Sequence, residues 1–145
     1  MPLEGEYAPS PWSFAADQVE KIERSGGTEG IELQGARVVV LTTRGAKTGA
    51  IRKAPLMRVE HDGRYAVVGS LGGAPKSPVW VFNLRANPDV SLQDGPEVFD
   101  LRARELAGAE RDEWWKHATA AWPAYDDYQA RTERVIPVFV LEPRG

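Results

Sequence analysis

Apolar positions recur along the chain in two rhythms, and the change of rhythm marks its elements. Ser10-Pro11 reads as an N-cap with proline in the first turn. Ala15, Val19 and Ile22 then follow at helical spacing until Gly26-Gly27. After a glycine-containing linker to about Gly35 the texture becomes β. Residues 37–43 (RVVVLTT) are apolar and β-branched, as in a buried strand, and Gly45 and Gly49 bracket a turn before a second strand over 51–60. Asp62-Gly63 signals a hairpin into a strand over 65–70. Gly72-Gly73 and Pro75 open a loop, and a short helix is predicted over 78–86. Strands over 90–93 and 97–106 are joined by Asp94-Gly95-Pro96. In the second, Phe99, Leu101 and Ala103 alternate with Asp100, Arg102 and Arg104, so one face is wet. Residues 110–122 are predicted helical with Trp115, Ala118 and Trp122 on one face, and 136–141 close the pattern as a strand.

Six short strands, mostly hairpin-connected, with a few helices added predict a mainly β fold of the α+β kind, a small β-barrel. The regular strand–helix alternation of a parallel sheet is missing. The length, 145 residues, suits one domain, with 1–35 as an N-terminal helix and linker. No segment reads as a secretory signal or as a run long enough to span a bilayer, so a cytoplasmic protein without stable membrane insertion is expected.

Charge changes the picture more than composition does. The net charge is −3, yet residues 33–59 carry six bases (Arg37, Arg44, Lys47, Arg52, Lys53, Arg58) and no acid, leaving −9 for the rest. A focused positive window on an acidic body suits one small anionic ligand better than nucleic acid. It also suits a hairpin edge defended by bases against aggregation, and charge by itself favours that plainer reading.

Several chemistries drop out. The chain has no cysteine, so disulfides and thiolate chemistry are excluded. His61 and His117 lack metal-site spacing, so no metal is expected. A nucleophile elbow, a phosphate loop of GxxxxGK[ST] form and a GxGxxG fingerprint are all missing. Three clusters remain. In RGAKTGAIR, Gly45 and Gly49 permit a close backbone approach. Lys47, Thr48 and Arg52 supply a point charge, a hydroxyl and a planar fork for a phosphate. In SPVWVFNLRANP, Trp80 and Phe82 could wall a planar ring, with core packing equally open to Trp80. In WPAYDDY, Tyr125 and Tyr128 lie three apart, so a helix would aim both hydroxyls one way. Taken singly, half-buried structural tyrosines explain them as well.

In their order, LTTRGAKTGAIRKAPL, VGSLGGAPKSPVWVFNLRANP, WPAYDDYQ and IPVFVLEP resemble the deazaflavin-dependent nitroreductase and quinone reductase family, which uses coenzyme F420. The resemblance spans Val38 to Pro143. It implies a split β-barrel of the flavin-mononucleotide-binding type and hydride transfer from the reduced deazaflavin to an electron-poor acceptor such as a quinone, enone or nitroarene. It further implies that Lys47, Thr48 and Arg52 hold the phosphate, with Ala46 and Gly49 also at cofactor-binding positions. Lys53, Ala54, Pro55, Leu56, Met57, Val68, Gly69, Ser70 and Leu71 would line the deazaflavin, and Val79, Trp80, Val81, Phe82 and Asn83 would close over it. Tyr125, Ser70 and Tyr128 fall at catalytic positions and, with Trp122, at the substrate pocket. The chain departs from some members at Ala46, Met57, Leu71 and Trp122, with Arg44 a candidate substitute for a second base beside Lys47. The expected partners are a small-molecule acceptor and, for the protein itself, a monomeric or homodimeric state. Where the acceptor is a lipid quinone, a position peripheral to the membrane follows. A non-catalytic deazaflavin carrier, a flavin-mononucleotide oxidoreductase of the sister barrels and a basic-patch RNA binder are the competing readings, the last being the weakest.

Overall fold

The computed structural model describes residues 13–33, 36–47, 49–70 and 77–143, with side chains omitted for 13–15, 32, 33 and 36. Its elements in chain order are α1 (Ser13–Arg24), β1 (Glu32–Leu33), β2 (Ala36–Arg44), β3 (Ile51–Met57), β4 (Val59–His61), β5 (Arg64–Val68), α2 (Val79–Ala86), β6 (Asp89–Asp94), β7 (Glu97–Glu105), α3 (Gly108–Ala121), α4 (Ala124–Ala130) and β8 (Val138–Pro143). The predicted cap at Ser10-Pro11 and the glycines at 72–73 lie outside the described residues.

Every strand pairing is antiparallel, in the order β1-β2-β6-β7-β8-β5-β4, with β3 on the other edge of β2. The single strand predicted over 51–60 is therefore two, broken at Arg58. Its first half pairs with β2, the Arg58 N–H still reaches the Arg37 carbonyl at 2.9 Å, and its second half pairs with β5. One bent strand thus changes neighbours and closes the sheet into a barrel. Closure removes the edges that an open sheet would expose.

The long apolar runs are explained by coverage on both faces. Val39 and Leu41 of β2, Tyr65 and Val67 of β5, and Phe139 and Leu141 of β8 point into the barrel with Val90, Leu92 and Leu101. Val38 and Val40 point outward against Val19 and Ile22 of α1. Ala66, Val68, Val138 and Val140 point outward beneath Trp114, Ala118 and Tyr125 of α3 and α4. Helix α3 departs from expectation in its buried face. Trp114 and Ala118 are buried, while Trp115 and Trp122 are half-buried at the margin. The wet and dry faces of β7 fall as the alternation predicts, with Leu101 buried and Arg102 and Arg104 exposed.

The two ends of the barrel differ. At one, Asp94 accepts from Tyr65 Oη at 2.6 Å and Arg58 Nε at 2.9 Å, with Arg37 Nη2 3.5 Å away. Burial opposes ionisation of Asp94, but the bonds from Tyr65 and Arg58 more than offset it and hold its carboxyl below the ordinary range. Burial and the same carboxylate push the Tyr65 phenol up to about 12. The other end is closed by α2, whose Trp80, Val81 and Leu84 enter the interior. A Cβ on Gly69 would come within 2.7 Å of the Val81 side chain, so glycine there admits the helix. Among the described residues no helix is long and apolar enough to cross a membrane, and no cluster of three or more metal-type ligands occurs.

Candidate cofactor and active site

The basic turn sits at the α2 end, between β2 and β3. The Gly45 N–H donates to the Ala50 carbonyl at 2.7 Å and the Gly49 N–H to the Gly45 carbonyl at 3.0 Å, while Gly49 takes φ 73°. Arg44 reaches forward and donates from Nη1 to the Gly49 carbonyl at 2.9 Å. From the other side, Asn83 of α2 accepts the Ala46 N–H at 3.0 Å. These backbone groups are therefore spent inside the turn rather than aimed outward. What the turn presents is side chains. Lys47 is exposed, and Arg52 is half-exposed at the register position opposite Thr43. Among the described residues neither has a carboxylate partner. Two cations without a counter-charge, on a turn clamped from both sides, form a donor set suited to a phosphate. Thr48 lies outside the described residues, and Arg44, the candidate second base, serves the turn.

Strand β3 divides the next predicted segment between two faces. Ala54 and Leu56 pack against the barrel interior. By alternation Lys53, Pro55 and Met57 lie on the outer face. Lys53 forms an ion pair with Glu23 of α1. Met57 packs against both the α1 cluster and the α3–α4 cluster, so it lies where the two outer cores meet. Arg52 and Met57 are five residues apart on one strand, roughly 16 Å, and the same alternation puts Arg52 on the face of Ala54 and Leu56, opposite Met57. An extended ligand anchored at the turn would need about that reach.

Helix α2 likewise splits its predicted residues. Trp80 and Val81 are buried in the interior, Trp80 edge-on to Phe139 at 6.2 Å between centroids. Val79 and Phe82 are exposed at 65% and 51%, and these are the apolar side chains that α2 offers outward. Asn83 is buried.

The aromatic cluster gathers as the spacing suggests. Tyr125 and Tyr128 of α4 meet edge to face at 6.1 Å, and Trp115 lies 6.2 Å from Tyr125. Trp122 Nε1 donates to Tyr128 Oη at 3.3 Å. Burial, and secondarily Tyr128, push the Tyr125 phenol well above the ordinary tyrosine range, so it stays protonated across the working pH range. Met57 and Val68 pack into this cluster with Trp122 and Tyr128, so the aromatic group adjoins the outer face of β3. Ser70 is buried just past β5, and its carbonyl accepts Arg134 Nη2 at 2.8 Å. Leu71 lies outside the described residues.

Several contributors escaped sequence reasoning. Arg134 bonds Ser70 and, at 3.3 Å, Ser77 Oγ, holding both flanks of segment 71–76. Gln129 fixes the Arg134 loop by donating to the Arg134 carbonyl and accepting the Ile136 N–H. Trp115 Nε1 donates to Asp126 at 2.8 Å, binding α3 to α4. His61 and His117, distant in sequence, stack at 3.9 Å beside Trp114. No short-range pattern announces any of these pairs.

A closed antiparallel barrel with an anion-suited turn at one end and a buried phenol beside one outer face defines a split-barrel protein of the cofactor-binding type. The sequence pattern of the F420H(2)-dependent quinone reductases matches residues 15–143, and the chain belongs to that family. An F420H(2)-dependent quinone reductase of Mycobacterium tuberculosis is 38% identical over 109 residues, covering 73% of each chain. A solved F420-H2 dependent reductase (FDR-A) is 57% identical with a TM-score of 0.69, over 72% of this chain and 93% of that one. A structure described as a domain-swapped dimer is 51% identical with a TM-score of 0.73, over 92% of this chain and all of that one.

Proposed function

We propose that this protein is an F420-dependent oxidoreductase that passes a hydride to an electron-poor small molecule, a quinone foremost. The observation that carries the reading is the pair Lys47 and Arg52, with no carboxylate partner among the described residues, on a clamped turn at the head of the strand whose far end, Met57, meets the aromatic cluster. When bound, the reduced deazaflavin supplies the hydride, and a hydride with one proton takes a quinone to its hydroquinone. Lys47 and Arg52 would hold the phosphate. Pro55, Met57 and Val68 would support the ring from the outer face of β3 and the end of β5, and Val79 and Phe82 would cover it from α2.

On the acceptor side, Trp122, Tyr125 and Tyr128 would set the plane of an aromatic or quinonoid ring. Tyr125 stands in the aromatic cluster, and Ser70 is buried just past β5. Tyr125, neutral because burial disfavours its phenolate, would donate a hydrogen bond or proton to the oxyanion that develops on the acceptor. No covalent intermediate is required, so single substitutions should alter affinity or orientation and leave residual turnover.

Parallel titration with oxidised F420 and with flavin mononucleotide, followed by turnover of reduced F420 against quinones, enones and nitroarenes, tests the reading. Selective F420 binding with oxidation by a quinone supports it. Tight binding without turnover on any acceptor identifies a carrier, and preference for flavin mononucleotide moves the protein to the sister barrels.

A further inference from the structure

Of the polar side chains deepest in the α2 end, one carboxamide touches both parts of the anion anchor. Asn83 is 3% exposed and Thr43, beside it, 1%. Asn83 Oδ1 accepts the Ala46 N–H at 3.0 Å from a turn 37 residues away in sequence, and Nδ2 donates to Thr43 Oγ1 at 3.3 Å. The chemistry sets the orientation of the amide: the group facing a backbone N–H must be the oxygen, which turns the NH2 toward Thr43. Ala46 immediately precedes Lys47, and Thr43 is the register partner of Arg52. One buried side chain therefore fixes the backbone next to one cation and the strand position opposite the other.

We propose that Asn83 is a positioning residue for cofactor binding: it preforms the spacing of Lys47 and Arg52, so that the phosphate meets two cations already in place. This deepens the reading of the turn as a phosphate anchor and rests on it. A second consequence concerns α2. The same helix carries Val79 and Phe82 outward, so the carboxamide ties the helix that would cover the ring to the turn that would hold the phosphate. A loose turn costs affinity because the ligand must then order the loop itself, and pre-organisation removes that cost. Burial makes the strut sensitive as well. Deleting it removes the acceptor from the part-buried Ala46 N–H and the donor from the buried Thr43 hydroxyl.

The test compares two probes by fluorescence titration: coenzyme F420 and a deazaflavin with the same ring and ribityl chain but no phosphate. Asn83→Ala should raise Kd for F420 by about tenfold, the size expected when a buried hydrogen-bond partner is removed. Binding of the phosphate-free probe should weaken far less, because only the cover of α2 over the ring is loosened. In turnover, the loss should fall on KM for reduced F420 more than on kcat. Thr43→Val removes only the Nδ2 acceptor and should act in the same direction, severalfold, which keeps the test decisive where Asn83→Ala fails to fold. Equal weakening of both probes, or unchanged F420 affinity in the variant that folds, overturns the proposal. Lys47→Ala and Arg52→Ala run alongside separate the two levels. If they weaken F420 binding and the strut variants do not, the anchor stands and the positioning role falls; if they too leave it unchanged, the anchor reading falls and takes this inference with it.

Discussion

The two ends of the barrel use charged groups in opposite ways. At the β6–β7 end, Arg37 and Arg58 converge on one carboxylate, Asp94, which also takes the Tyr65 phenol. At the α2 end, the cations Lys47 and Arg52 meet no carboxylate among the described residues, while the turn beside them is held by the Asn83 carboxamide, the Thr43 hydroxyl, the Gly45–Ala50 bond and the Arg44 guanidinium on the Gly49 carbonyl. A charge matched inside the fold stabilises the fold and has little left for a ligand. A charge held rigidly but unmatched costs some self-repulsion and keeps its full interaction for an incoming anion. The β6–β7 end is therefore read as structural and the α2 end as functional, although both are basic in sequence.

Substitutions can test that contrast. The largest effect is expected from Asp94→Ala, which strands two guanidinium groups and the Tyr65 hydroxyl. Loss of about 3 kcal/mol of unfolding free energy is the expected scale for a mostly buried ion pair broken on one side. Denaturant melts should show it, with F420 affinity of the folded fraction unchanged. Next in size, Arg52→Ala should leave the melt within about 0.5 kcal/mol of wild type, as for other surface changes. Its Kd for F420 should rise roughly 10- to 100-fold, the worth of a shielded charge-assisted contact. Should Arg52→Ala instead destabilise the fold as Asp94→Ala does, the division between the two ends collapses.

Tyr125→Phe probes the aromatic side. With the phenol removed and the ring retained, kcat with a quinone should fall about tenfold, at or below the low end of general-acid contributions because water can substitute. Cofactor affinity should hold, and an unchanged kcat would remove Tyr125 from the chemistry.

The pH dependence of stability is a subtler signature of the β6–β7 end. Asp94 has a folded pKa below its ordinary 3.8, so its contribution is present above about pH 4 and is lost as pH falls through the folded value. Tyr65 has a folded pKa raised from 10.0 to about 12, so its contribution is present below pH 10 and is lost between pH 10 and 12. Thermal melts across pH should flatten on the acid limb in Asp94→Asn and on the alkaline limb in Tyr65→Phe. The smallest effect belongs to Glu23→Gln. Its half-exposed bond to Lys53 should be worth under about 1 kcal/mol. Changed F420 affinity in this variant would show that Lys53 takes part in binding.

A continuous apolar, β-branched run in RVVVLTT and alternation at a period of two from Phe99 to Arg104 were enough to place those strands, because side chains on a pleated chain face opposite ways whatever their partners. Glycines at 45 and 49 likewise marked the turn, and at Gly49 the positive φ is a local demand. The order of the three motifs carried the family. What the chain could not announce was each contact between distant segments. The break at Arg58 that closes the barrel depends on which neighbour each half of one strand meets. The burial of Trp114 in place of Trp115 depends on how α3 rolls onto β5 and β8, a rotation of one residue that a short amphipathic stretch does not specify. Lys53 looks as free as Lys47 in sequence, yet α1 supplies it with Glu23. Asn83 looks like a residue near a helix end, yet it reaches 37 residues back to hold the turn. Local sterics and periodicity are written residue by residue, so the sequence determined the strands, the turn and the types of group available for chemistry. Which of those groups are spent on the fold, and which are left for a ligand, is a property of pairs that only the packed structure brings together.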